Sequence, residues 1–295
     1  MNVLDTPIES LTISLKSSNY TSKLSESNFI FELNTPIISY PNVDMLIALD
    51  SFFFTNSFYT IGKYNDKLYY TLEGIDYIRS VAHSFFGLVD LISNLNVLFS
   101  GIFVFSYSVY TYKTTITSVG GKYFNINGGL YNINETLGFD KNGFSSSVNV
   151  ITSPNLFNMM QVQMVNITVP NLNIKSLGVK NDNKFNLLGS LRVNVGPGEI
   201  MNYYNTNGFR FKISDTTITS LNIVLLDQSE NPIEFNGVEW FMQISVCFQY
   251  KKAFILPNYL INDVNPDDTI DYYLEREQRR NKNKMLDEIL LNKNI

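Results

Sequence analysis

Residues 221–250 constrain the fold more than any other part of this chain. They read LNIVLLDQSENPIEFNGVEWFMQISVCFQY: a strand pattern, a turn, a short apolar segment, a second turn and a long strand pattern. Asn236 and Gly237 can adopt positive φ angles at low cost, so the chain can bend there and then resume strand pairing. A strand that turns such a corner can leave one sheet and continue in another, as a jelly roll requires.

The last strand pattern predicts one buried face and one exposed face. Alternate residues predicted to face the core are Trp240, Met242, Ile244, Val246, Phe248 and Tyr250. The opposite set is mostly polar, with Phe241 as the exception. Upstream, the second half of the chain carries further short alternating segments separated by Gly, Asn, Asp or Pro: SSVNVIT, MMQVQMVNITV, SLRVNV, FRFKIS and SLNIVLL. Short strands at this spacing favour a β-sandwich or jelly roll.

The first half of the chain mixes strand patterns with one helical pattern. Strands are predicted at 11–15, 29–33 and 44–61, the last bent near Asn56, and 99–118 is predicted to be a strand covered on both faces. Between them, apolar residues recur every three or four positions: Ile78, Val81, Ala82, Phe85, Phe86, Val89 and Ile92. This spacing predicts a helical insertion at about 75–96, capped by Asp76. A second, short helix is predicted at 131–137.

The two ends of the chain are predicted to be arms on a jelly-roll domain that spans residues 11–257. Residues 1–10 form the N-terminal arm. Residues 258–295 form a C-terminal arm that is predicted to be helical, because acidic residues come first and basic residues later within 265–295. That segment has too few apolar residues for a core of its own. It is either a solvated tail or an arm that becomes ordered against a neighbouring subunit.

The residue types needed for catalysis or metal binding are scarce. The chain has one histidine, His83, and one cysteine, Cys247, so no His/Cys metal cluster and no intramolecular disulfide is expected. VGPGE at 195–199 lacks the lysine and hydroxyl residue of a phosphate loop and is interpreted as a turn. We expect no enzyme activity, no catalytic, cofactor or metal site, and no cofactor.

A formal net charge of −5 gives no general attraction to nucleic acid. No membrane insertion is expected, because polar residues interrupt the most apolar region, 85–105.

The order of these patterns resembles a known family. LLDQSENPIEFNGVEWFMQISVCF, residues 225–248, is similar to the closing hairpin of capsid proteins from virophages, Polintons and Polinton-like viruses, where an L-x-D…G-x-P-x-x-F-x-G pattern precedes a strand. The N-terminal part resembles the opening of their penton, or minor capsid, proteins, including an aromatic step that here is Asn56-Ser57-Phe58-Tyr59-Thr60-Ile61. Weaker similarities are LFNMMQVQMVNI followed by LLGSLRV (187–193), and ETLGF (135–139). The chain departs from the family at 44–49, where a tryptophan is usual, and 265–295 has no counterpart.

The resemblance implies a structural virion protein with a mainly β fold, a single jelly-roll β-sandwich. It implies a penton subunit that forms a homopentamer at the five-fold vertices of an icosahedral capsid and contacts the capsomers of the major capsid protein. Other minor capsid proteins are further partners. The implied location is the capsid vertex, with assembly in the cytoplasm of the infected host cell.

Three alternatives stay open at this point. The first is an internal minor, or cement, capsid protein, which would reuse the same fold. The second is a carbohydrate-binding jelly roll that serves attachment, which exposed tyrosine or tryptophan platforms would favour. The third is a cupin-like enzyme, which would normally collect several histidine ligands and therefore fits this chain poorly.

Overall fold

The structure, a computed structural model, describes residues 9–145, 149–174 and 186–250. These residues form antiparallel sheets with one α-helix, so the predicted mainly β fold is confirmed. The predicted arms at 1–10 and 258–295 lie outside the described residues, except that Glu9 and Ser10 already belong to the first strand.

Two sheets build a jelly roll. The first runs in the order β1-β17-β4-β14, with β15 also pairing with β4: β1 Glu9–Lys16, β17 Trp240–Tyr250, β4 Val43–Thr55, β14 Ile200–Tyr204 and β15 Phe211–Ile213. The second runs in the order β2-β3-β16-β12-β13: β2 Ser22–Ser25, β3 Asn28–Ile38, β16 Thr217–Leu226, β12 Met164–Thr168 and β13 Leu187–Arg192. Eight of these strands form nested antiparallel pairs along the chain. β1 pairs with β17, β3 with β16, β4 with β14, and β12 with β13. Nested antiparallel pairs of this kind define a jelly roll.

The jelly-roll core lies between the inner faces of these two sheets. Trp240 is fully buried at its centre, and its ring packs edge-on against Phe29 at a centroid distance of 5.2 Å and against Phe52 at 5.8 Å. The predicted inward residues of β17 are buried as expected, except Tyr250 at the end of the strand, which is 60% exposed. Phe241 faces solvent as predicted, so the alternation of this strand identified its core face.

Residues 56–163, between β4 and β12, form an insertion with its own core. It contains a four-stranded sheet in the order β10-β9-β5-β6 and a three-stranded sheet in the order β11-β8-β7. Its elements are β5 Lys67–Leu72, β6 Ile75–Ser80, α1 Leu88–Leu98, β7 Phe103–Tyr107, β8 Thr114–Ser118, β9 Phe124–Asn127, β10 Gly143–Phe144 and β11 Val150–Thr152. Its buried cluster shares no residue with the jelly-roll core among the described residues. The insertion is therefore a second small β unit.

The predicted helix at 75–96 was wrong over its first part. Ile75–Ser80 is a strand that pairs with β5 across a two-residue turn, Glu73-Gly74, in which both residues have positive φ. The helix begins later, at Leu88, and buries Leu91, Ile92 and Leu95. The spacing misled because β6 is exposed on both faces, so its apolar residues do not alternate with polar ones.

Two smaller predictions in the insertion also need correction. The segment 99–118 is a hairpin, β7 and β8, and Val104 and Ser106 on β7 face solvent, so this strand is covered on one side. The turn lacks glycine and proline, and Tyr112 takes its left-handed position at φ 53°. Residues 131–137 form turns instead of a short helix.

Candidate assembly surfaces

The chain passes from the jelly roll to the insertion at a corner built from Asn56–Tyr59 and the turn at Phe235–Gly237. The Ser57 hydroxyl donates to the Phe235 carbonyl at 2.7 Å, and the Asn236 side-chain amide donates to the Ser57 carbonyl. The rings of Phe58 and Phe235 pack edge to face at a centroid distance of 5.4 Å. The two segments that carry the family resemblance therefore contact each other directly.

Two tight turns shape the other side of this corner. The Asp227 carboxylate accepts hydrogen bonds from the backbone N–H of Ser229 at 2.7 Å and of Asn231 at 2.8 Å, and from the Asn231 side chain at 3.0 Å. Asn236 and Gly237 have φ angles of 50° and 80°, as their sequence predicted. The side chain of Asp227 thus closes the first turn, and positive φ angles close the second.

The VGPGE segment (195–199) is a turn, as predicted, and it holds Asn56 in place. The Asn56 N–H donates to the Glu199 carbonyl and the Gly198 N–H donates to the Asn56 carbonyl, both at 2.8 Å. The Asn56 side chain donates to the Val195 carbonyl at 2.9 Å. The Glu199 carboxylate closes the turn by accepting from the Gly196 N–H at 2.6 Å. This turn therefore fixes the first residue of the insertion against the jelly roll.

A cleft of about 450 Å³ lies where the insertion meets the jelly roll. Its walls include the edge-to-face ring pair of Tyr59 and Phe85, with centroids 6.1 Å apart, and the side chains of Met160 and Val162. Arg192 also lines the cleft and is exposed to solvent.

The outer face of the first jelly-roll sheet carries exposed aromatic side chains among small polar ones. Phe53 on β4 packs edge-on against Tyr204 on β14 at 5.3 Å, and Phe241 follows on β17. The Lys16 ammonium lies 5.3 Å from the Phe241 ring centre and 2.8 Å from the Glu239 carboxylate. Hydrogen bonds from Lys16 and Ser18 hold the pKa of Glu239 below its usual value. Sequence alternation placed Phe241 on this face, but the alignment with Phe53 and Tyr204 depends on strand register.

The structure separates the chain's single histidine and single cysteine. His83 Nε2 lies 3.2 Å from Asp66 Oδ2 at the surface of the insertion. Cys247 is buried in β17, with its Sγ 3.3 Å from the Ser10 hydroxyl on β1. Across the described ranges, no group of three or more His, Cys, Asp or Glu side chains is placed to hold a metal ion.

Within the part of the chain that the structure describes, no helix has the length and apolar character needed to cross a membrane.

Comparison with known proteins gives structural similarities only. No protein-family model matches the chain, and no curated protein matches it. The solved structures that are similar to it include the following two. The crystal structure of the SeMet-labelled mavirus penton protein is 12% identical, with 81% of this chain and 99% of that chain covered and a TM-score of 0.44. The 3.5 Å cryo-EM structure of the Sputnik virophage is 11% identical, with 81% of this chain and 97% of that chain covered and a TM-score of 0.39.

Proposed function

We propose that this chain is a penton subunit of an icosahedral virus capsid. Five copies form a ring at each five-fold vertex, and the outer rim of the ring contacts capsomers of the major capsid protein. The protein acts by assembly at the capsid vertex, and this assembly takes place in the cytoplasm of the infected host cell. Other minor capsid proteins are further partners.

The observation that carries the proposal is the corner at Asn56–Tyr59 and Phe235–Gly237. The second segment belongs to the stretch that resembles the closing hairpin of virophage and Polinton capsid proteins, and the first resembles the opening of their penton proteins. The two segments lie almost 180 residues apart in the chain. They meet at one end of a single jelly roll, at the point where the insertion begins. A shared sequence pattern whose parts form one structural unit supports common descent more strongly than separate motifs do.

The surface of the jelly roll suits a role in assembly. A ring of identical subunits needs two different patches on each subunit, because the contact is heterologous. The exposed rings of Tyr204 and Phe241, with the half-buried Phe53 between them, supply the residue types that are enriched in the core of protein interfaces.

The test is the solution mass of the purified full-length protein, measured by light scattering over a range of protein and salt concentrations. We expect a pentamer, with a mass of five times 33.7 kDa. A stable dimer or trimer would contradict the vertex role and would favour an internal cement protein. Negative-stain images provide the control, since a penton must show a ring with five-fold symmetry.

A second candidate function, carbohydrate attachment, is favoured by one loop. Residues 108–113 between β7 and β8 expose Val109, Tyr110 and Tyr112, and Tyr110 is 92% exposed. Exposed tyrosine rings can stack on sugar rings, and the neighbouring hydroxyl groups can bind sugar hydroxyls. A glycan-array signal that disappears in Tyr110→Ala but persists in Tyr40→Ala, at another exposed tyrosine, would support this function.

A further inference from the structure

Among the described residues, no strand pairs with the outer edge of β6 in the insertion. Ile75 and Ile78 are 59% and 61% exposed, and Tyr77 is also exposed. The Val81 N–H donates to the Asp66 carbonyl, so Val81 and Asp66 form a hydrogen-bonded pair. Counting back along β6, the odd-numbered residues bond to β5. Asp76, Ile78 and Ser80 must therefore direct their backbone N–H and C=O groups to the free side of the strand. An exposed apolar edge of this kind is a template for pairing with another strand.

The charged side chains of β6 do not block this edge from pairing with another strand. The Asp76 carboxylate accepts a hydrogen bond from Thr71 on β5. The Arg79 guanidinium folds over the Phe99 ring and donates to the Leu98 carbonyl at the end of α1. Both charged groups therefore already have partners within the subunit, although charged side chains commonly protect strand edges.

The outer edge of β1 in the jelly roll likewise has no partner strand within the described ranges. The Ser17 N–H donates to the Trp240 carbonyl, so the odd-numbered residues of β1 bond to β17. Ser10, Thr12 and Ser14 consequently direct their backbone groups to the free side. The eight residues of β1 contain no glycine or proline, and their charges lie only at the two ends, at Glu9 and Lys16.

Other described strand edges are protected or short. The edge of β7 is covered by the Asn96 side chain, which accepts from the Phe105 N–H at 2.7 Å and donates to its carbonyl at 2.9 Å. Both β2 and β13 face a register shift, and β10, β11 and β14 have five residues or fewer. Among the described edges, β1 and β6 alone combine at least six residues with no register shift, glycine, proline or side-chain cap.

Among the antiparallel alignments of these two edges, one brings both charged residues of β6 near a residue of opposite charge on β1. In an antiparallel pair with Ile78 opposite Thr12, Asp76 lies opposite Ser14 and diagonal to Lys16, on the same face of the sheet. On the other face, Tyr77 lies opposite Ile13, and Arg79 lies diagonal to Glu9. A parallel pair would instead bring Asp76 towards Glu9 and Arg79 towards Lys16. The antiparallel alignment is therefore favoured over the parallel one, because it places the apolar Tyr77 and Ile13 opposite each other and brings opposite charges together.

We propose that β6 of one subunit pairs antiparallel with β1 of a second copy of this chain, with Ile78 opposite Thr12. The contact uses two different edges, so it is heterologous, and repetition around one axis closes a ring. The proposal rests on the proposed homopentamer and specifies the strands that join its subunits.

Disulfide trapping tests this contact. Opposite residues in a hydrogen-bonded antiparallel pair have Cα atoms about 5.5 Å apart, which suits a disulfide. We expect the double variant Ile78→Cys/Thr12→Cys to form, on oxidation, a ladder of covalent oligomers that ends at five subunits on a non-reducing gel. A mixture of the two single variants should give covalent dimers only. The native Cys247 is buried and can remain in every variant.

Matched variants keep the test specific. Ile78→Cys/Ser14→Cys moves one thiol to a diagonal position about 7 Å or more away and should cross-link poorly. The fluorescence of Trp240 should stay native in every variant, which establishes that the jelly roll is folded. Asp76→Lys should lower the cross-linking yield about twofold to fivefold, and adding Lys16→Glu should restore it.

The outcomes separate this inference from the proposed function. A pentamer by light scattering without an Ile78–Thr12 cross-link would overturn the strand pairing and leave the penton role intact. Covalent dimers of Ile78→Cys alone would overturn it in favour of β6 pairing with itself. A folded monomer at all concentrations, with no cross-link, would overturn both.

Discussion

Asp227 shows how one side chain can determine the path of the last part of the chain. Its carboxylate accepts three hydrogen bonds within the turn that leads from β16 towards the corner at Phe235–Gly237. Aspartate is favoured in such turns because its side chain can bind backbone N–H groups a few residues further along. The sequence predicted the turn from residue types alone.

Replacing Asp227 by alanine should therefore destabilise the jelly roll. Asp227→Ala leaves two backbone N–H groups without their acceptor, and we expect a loss of about 1–3 kcal/mol in the free energy of unfolding. Urea denaturation followed by Trp240 fluorescence measures this loss. Asp227→Asn keeps one acceptor oxygen and should lose less. Equal losses in both variants would show that the carboxylate does not hold the turn through these bonds.

At the scale of elements, residue patterns predicted strands better where one face is buried. In the first part of β17, Trp240–Gln243, buried and exposed residues alternate because one face meets the core and the other meets solvent. In β6, both faces are exposed, and the same rule suggested a helix. The alternation of polar and apolar residues therefore depends on burial of one face, and an edge strand with two exposed faces lacks this alternation.

Helix α1 protects the edge of β7 through Asn96, and loss of this side chain should expose that edge. Asn96→Ala leaves the Phe105 N–H and carbonyl without their partners, and we expect a loss of about 1–3 kcal/mol in stability together with a greater tendency to aggregate. Hydrogen exchange of the Phe105 amide and light scattering at raised temperature measure the two effects.

The matched control is Asn94→Ala, two residues earlier on the same helix, where the side chain is half-buried. It should change hydrogen exchange and aggregation much less. If both variants show the same hydrogen exchange and aggregation, the change in helix propensity explains these effects, and the hydrogen bonds from Asn96 to β7 do not.

At the scale of the whole molecule, the described residues contain two hydrophobic cores connected at one corner. The sequence predicted the jelly roll, because its strands alternate and its turns contain Gly, Asn or Pro. It did not predict the second core, because the strands of the insertion are short and its hairpin turn at 108–113 is rich in tyrosine. Nor could it predict the contacts at the corner, since these depend on bringing Ser57 close to Phe235.

The two cores should respond separately to mutation. Leu95 is fully buried in the insertion, and Leu95→Ala should cost about 2–5 kcal/mol there. We expect faster hydrogen exchange throughout the insertion and an unchanged urea midpoint for Trp240 fluorescence. Leu221→Ala, in the jelly-roll core, should lower that midpoint. Equal midpoint shifts in both variants would show that the two cores unfold as one cooperative unit.

The corner also has a consequence for protein engineering. The insertion leaves the jelly roll at Asn56, and the chain returns through Met160–Val162, which line the same cleft as Asn56. The two attachment points are therefore neighbours, and the insertion is in effect one very long surface loop of the jelly roll. Loop-closure entropy rises only slowly with length. A foreign domain with adjacent termini can therefore take the place of residues 59–159 without a change in the two jelly-roll sheets, but this replacement removes β6 and with it the proposed pairing with β1 of a second copy.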